Sequence, residues 1–256
     1  MTKNYRACPV CQHHDLGSMV SRDNGKYLLI TPPRTGSTVV YQILEKIQKS
    51  STIKTHSMKG VGDCPLFTHY EGIFVTIRHP YDSFASYIKM TEDIDPENVS
   101  LKNSQLTFEE FDKAYDTTAK ILLYNSIVHL YYEQPNDDQY GLNPPIPFFI
   151  RYEDSIHDPA YRVEEIFKYL QIDASHQEMS KIAEEFSIEN NQRMINSGNN
   201  RDDRSLAGLD KSGFVFKKNH IGPDAGMSRG KSLPNDIRKK IYSKYTAIFE
   251  IFGYNA

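Results

Sequence analysis

Hydrophobic positions along this chain fall into short continuous runs, separated by stretches with a helical period. Tyr27-Leu28-Leu29-Ile30 is one run, Ile73-Phe74-Val75-Thr76-Ile77 a second and Phe148-Phe149-Ile150-Arg151-Tyr152 a third. Runs that are apolar on both faces and lie between helices predict parallel strands. A shorter strand is predicted near Ser51–Thr55. Val40, Ile43, Leu44 and Ile47 recur at helical spacing and predict a helix from about Ser37 to Lys49. Pro80 suits a first helical turn and opens a helix through about Met90. Thr107-Phe108-Glu109-Glu110 has the form of a capping box and predicts a long helix toward Glu133. Further helices are predicted over Pro159–Leu170, Gln177–Phe186 and Pro234 to about Phe252. The stretch 190–232 is rich in Asn, Asp, Gly, Ser and Lys and is predicted to be a long loop. The alternation implies an α/β fold with a parallel β-sheet of about four or five strands, flanked by helices. Residues 1–25 read as a polar N-terminal extension, and 26–256 as a single domain.

Composition narrows the function classes. With 39% apolar and 25% charged residues and a net charge of −3, the chain has the make-up of an ordinary soluble protein. That charge gives no support for nucleic-acid binding or for adsorption to a membrane. No run of about 18 apolar residues exists, so no membrane span is expected. The start, Met1-Thr2-Lys3-Asn4-Tyr5-Arg6, lacks the apolar stretch of a secretory signal. Three cysteines make no disulfide framework, which fits a reducing cytoplasm. Cys8 and Cys11 with His13 and His14 supply half of a zinc knuckle, but Cys64 stands alone and no metal site is expected.

Two loops carry the candidate chemistry. Thr31-Pro32-Pro33-Arg34-Thr35-Gly36-Ser37-Thr38 follows the first strand, and Arg78-His79-Pro80-Tyr81-Asp82-Ser83-Phe84-Ala85-Ser86 follows the strand at 73–77. Each places hydroxyl groups and an arginine where a strand hands over to a helix. Free amides and the positive end of the helix dipole favour an anion there. Two such loops suit a ligand with two separate phosphate-like groups. The first lacks Gly-x-x-x-x-Gly-Lys-Ser/Thr, so it is not a standard triphosphate loop. The bland alternatives are a helix cap with an incidental arginine at Arg34, and a salt bridge from Arg78 to Asp82. Lys54-Thr55-His56 ends the short strand, near the ligand crevice of a parallel sheet. A histidine there can serve as a general base, or be a surface residue.

Together these segments resemble the sulfotransferases that use 3′-phosphoadenosine 5′-phosphosulfate, which have a P-loop NTPase-like fold. Pro33 to Thr38 resembles the family's 5′-phosphosulfate loop, and Arg78 through Ser86 its 3′-phosphate motif. Lys54-Thr55-His56 matches the Lys-Thr-His of the cytosolic branch. Arg151-Tyr152-Glu153-Asp154, followed by Asp158-Pro159, resembles the Tyr-Glu-Asp segment, with Tyr152 near the adenine. The resemblance spans roughly residues 26–252. It implies that His56 is the catalytic base, with Arg34 and Lys54 stabilising charge on the transferred group. It further implies donor binding by Arg34, Thr35, Gly36, Ser37, Thr38, Arg78, Ser86 and Tyr152, with Phe186 and Ile188 completing the adenine pocket. The family's C-terminal Arg-Lys-Gly-x-x-Gly-x-Trp-Lys segment is not present in full. Its nearest match is Lys217-Lys218-Asn219-His220-Ile221-Gly222, with Gly226, Arg229 and Lys231 following, and Lys217 or Lys218 is expected at the 3′-phosphate. The stacking tryptophan is missing, since the chain has none.

The acceptor implied is a hydroxyl or amine, on a carbohydrate or another small molecule. A P-loop-type kinase is the rival enzyme; it would bind ATP with magnesium and would favour an aspartate where Arg78 stands. A non-catalytic nucleotide-binding protein on the same scaffold is the other alternative.

Overall fold

The computed structural model describes residues 27–32, 34–48, 52–55, 70–94, 112, 145–196 and 228–255. Four strands form the sheet: β1 (Tyr27–Ile30), β2 (Thr52–Thr55), β3 (Gly72–Ile77) and β4 (Phe148–Arg151). All pairs are parallel, in the spatial order β2-β1-β3-β4. Helices α1 (Ser37–Gln48) and α2 (Pro80–Ile94) follow β1 and β3. After β4 come α3 (Tyr152–His157), α4 (Pro159–Tyr169), α5 (His176–Glu185) and α6 (Ile188–Asn196). A 3-10 helix (Arg229–Ser232) then precedes α7 (Asn235–Ile251).

Strand period sends alternate side chains to opposite faces, and each face has its own core. Leu29 and Phe74 join Ile43 and Leu44 of α1, Val163 and Ile166 of α4, and Ile182 of α5. Ile77 faces the other way, against Phe84 of α2 and Ile241, Ile248 and Phe249 of α7. The central strands β1 and β3 are buried throughout, which is why they read as unbroken apolar runs. Tyr169 ties the start of β3 to the chain entering β4. The Ile73 amide donates to its oxygen at 3.0 Å, and its hydroxyl donates to the Ile146 carbonyl at 2.6 Å.

Register places the functional edge. Ile30 pairs with Thr55 on one side and Val75 on the other, and Ile77 pairs with Arg151. The chain leaving β1, β3 and β4 therefore emerges along one edge of the sheet, where ligands of such sheets bind.

Two expectations need correction. The stretch 190–232 does not begin as a loop, because α6 runs from Ile188 to Asn196. Ser187 Oγ accepts the Asn190 amide at 3.2 Å, and the Asn190 and Asn191 side chains donate to the Glu185 and Phe186 carbonyls. Residues that favour loops here close one helix and start the next. Tyr152 is not the end of a strand. It opens α3 directly after β4, where the Ser155 hydroxyl donates back to the Arg151 carbonyl at 2.8 Å. The long helix expected over 107–133 lies outside the described residues, apart from Asp112.

Candidate active site

The loop after β1 is wound tightly. Arg34 has φ of 66° and Gly36 has φ of 80°. The left-handed region costs a non-glycine residue about 1–2 kcal/mol, so Arg34 holds a strained backbone. Thr35 is buried at the floor of the turn: its hydroxyl donates to the Pro32 carbonyl at 2.8 Å and shares a 2.6 Å hydrogen bond with Thr76 Oγ1 of β3. The Gly36 carbonyl accepts the first helical bonds, from Val39 at 3.2 Å and Val40 at 3.5 Å. Helix geometry leaves the amides of Ser37 and Thr38 without an acceptor inside α1. A turn of this shape aims main-chain amides at one anion.

The second loop is built into the first. Arg78 directly follows β3, is buried at 3% exposure, and its Nη1 donates to the Arg34 carbonyl at 3.1 Å. Arg34 Nε donates to Ser86 Oγ at 3.1 Å. Arg34, Arg78 and Ser86 are therefore brought together, although Ser86 lies two helical turns beyond Arg78. The salt bridge from Arg78 to Asp82 does not form. Asp82 instead accepts main-chain amides of Ser228 and Gly230.

Tyr152 seals this corner. Its ring lies under the Arg78 guanidinium, 4.3 Å from carbon to ring centroid. A Cβ added to Gly36 would lie 2.5 Å from Tyr152 Cδ2. Burial pushes the Tyr152 hydroxyl above its ordinary pKa, against the opposing pull of Arg78, Arg34 and Arg229. Gly36→Ala thus meets two obstacles, a positive φ and a ring. We expect it to destabilise the fold by about 2–5 kcal/mol, seen as a lowered midpoint in urea unfolding; an unchanged midpoint would contradict this packing.

Lys54 reaches over from β2, donating to Thr38 Oγ1 at 3.4 Å. Burial pulls its ammonium down to about 8. The group is thus charged below that pH and neutral above it. The account predicts that kcat/KM for an anionic substrate falls as pH rises through about 8. Lys54→Arg keeps its charge in that range and should move the limb upward. A limb that stays in place would remove Lys54 from the site.

Sequence reasoning missed two parts. Glu153 joins this loop to the C-terminus: its Oε1 accepts the His79 amide at 2.8 Å and its Oε2 the Tyr254 hydroxyl at 3.0 Å. Arg229, noted in the sequence only as following Lys217-Lys218, is brought within electrostatic reach of Tyr152. Both depend on long-range contacts that no local pattern carries. Phe186 is buried in the core with Ile182 and Val163. Ile188 is half-buried in the first turn of α6. His56, Lys217 and Lys218 lie outside the described residues, as do Cys8, Cys11, His13 and His14. Among the described residues, no group of three or more His, Cys, Asp or Glu side chains is arranged to hold a metal ion. No helix among them is long and apolar enough to cross a membrane.

Comparison with known proteins points one way. A family model described as a sulfotransferase domain matches residues 52–225. A crystal structure of a mouse sulfotransferase complexed with PAP superposes with a TM-score of 0.54 and 17% sequence identity, covering 92% of this chain and 89% of that chain. At that identity the likeness speaks for the fold. No curated protein sequence matches the chain at a significant level.

Proposed function

The chain belongs to the sulfotransferase family, and from that premise we propose that it moves a sulfuryl group from 3′-phosphoadenosine 5′-phosphosulfate to a hydroxyl of a carbohydrate or other small polar acceptor. Sulfuryl transfer is the family's reaction; donor, acceptor and residue roles are the proposal. The observation that carries it is the joining of Arg34, Arg78 and Ser86 at the carboxyl ends of β1 and β3. Two arginines, a serine hydroxyl and a strained amide turn suit two anionic groups held close together. The buried arginine directly after β3 stands where a magnesium-binding kinase would favour a carboxylate.

In this reading the main-chain amides of Thr35 to Thr38 hold the 5′-phosphate. Arg78 and Ser86 hold the 3′-phosphate, with Tyr152 and Ile188 beside the adenine and Lys217 or Lys218 adding a further cation. Arg34 and Lys54 offset charge developing on the bridging oxygen and sulfuryl oxygens. His56 takes the acceptor proton as the acceptor oxygen bonds to sulfur and the sulfur–phosphate oxygen bond breaks. No step in this reading calls on a metal. The segments 57–70, 91–106 and 190–232 carry mixed Asn, Asp, Lys and Tyr residues, which suits a sugar hydroxyl. Residues 26–256 act as one catalytic unit, in the cytoplasm.

The test supplies donor labelled at sulfur with a panel of mono- and oligosaccharides, simple phenols and tyrosine peptides. Label on a saccharide, with stoichiometric release of adenosine 3′,5′-bisphosphate, is expected. Label on phenols or peptides alone would overturn the acceptor class and leave the donor reading standing.

A further inference from the structure

Asp82 presents a problem of charge. It lies in the first turn of α2, four residues after Arg78, at the helix end that the account assigns to an anion. A carboxylate free to face that anion would oppose it. Both of its oxygens are turned elsewhere: Oδ1 accepts the Gly230 amide at 2.6 Å and Oδ2 the Ser228 amide at 3.1 Å. Ser228 has φ of 65°, which bends the chain so that two amides on either side of Arg229 meet one carboxylate. Gly230 is seated on the same helical turn. A Cβ there would lie 2.3 Å from Tyr81 Cβ and 2.8 Å from the Tyr81 carbonyl carbon. Only glycine permits this approach. The charge of Arg229 bears on Tyr152, as do those of Arg78 and Arg34.

We propose that Asp82 is a positioning residue that fastens the 228–230 turn to the amino end of α2 and so holds Arg229 beside the phosphate site. The role rests on the sulfotransferase reading, in which the donor's 3′-phosphate lies at Arg78 and Ser86. Charge-assisted hydrogen bonds from amides to a carboxylate are strong enough to order such a turn. They also neutralise a negative group that would weaken donor binding. Arg229 then adds a cation to the 3′-phosphate side only while the turn is docked.

The test measures binding of adenosine 3′,5′-bisphosphate, and of AMP, which lacks the 3′-phosphate, by calorimetry on the full chain. Asp82→Asn keeps the shape but sets an NH2 group against a main-chain amide. Arg229→Ala removes the cation, and Gly230→Ala forces the turn off α2 while leaving Asp82 intact. Each is expected to weaken the bisphosphate on the order of tenfold to a hundredfold, with AMP unchanged. The Asp82→Asn/Arg229→Ala double variant should lose no more than the worse single. Amide exchange at Ser228 and Gly230 should be slow in the wild type and fast in Asp82→Asn. Additive losses, equal losses for AMP or unchanged affinity would each overturn the proposal. Wild-type chain that binds no bisphosphate would overturn the donor reading. Fast wild-type exchange at Ser228 and Gly230 would overturn the clamp.

Discussion

His56→Ala is expected to lower kcat on the order of 10²–10⁴-fold while leaving donor affinity unchanged. His56 follows Thr55, the last residue of β2, and Thr55 pairs with Ile30 at the end of β1. β2 therefore ends, at Thr55, along the edge where the Arg34 turn begins. Lys54, two residues earlier, already donates to Thr38 at the start of α1. In the proposed mechanism the imidazole takes the acceptor proton and has no part in holding the nucleotide, so kcat and donor binding should separate. Full turnover in the variant would remove His56 from the mechanism.

Arg78→Ala is expected to weaken adenosine 3′,5′-bisphosphate on the order of 10²–10³-fold, since truncating one partner of a buried charged pair costs about 2–5 kcal/mol. Two contacts meet at this side chain. It donates to the Arg34 carbonyl in its left-handed turn, and it lies over the Tyr152 ring. Its loss thus removes a cation and loosens the Arg34 turn together. Arg78→Lys should recover only part of the affinity, because an ammonium cannot hold a carbonyl and a phosphate in one plane. Unchanged affinity in Arg78→Ala would sink the two-phosphate reading of the site.

The central strands were legible because burial on both faces writes an apolar run directly into the chain. β3 was expected at 73–77 and is found at Gly72–Ile77. The two loops proposed to hold phosphate were legible because they sit at fixed places, after a strand and before a helix. What escaped were contacts between distant segments. Asp82 read as a neighbour for Arg78, and its partners turned out to be amides at positions 228 and 230. Residues 190–196 read as loop because they are polar, and their helix is started by side-chain caps at Ser187 and Asn190.

The most direct measurement is calorimetric binding of adenosine 3′,5′-bisphosphate, run beside ATP with magnesium. The account predicts binding of the bisphosphate, lost in Arg78→Ala, and no response to ATP–magnesium. Binding of ATP–magnesium alone would contradict it and give the site to a kinase.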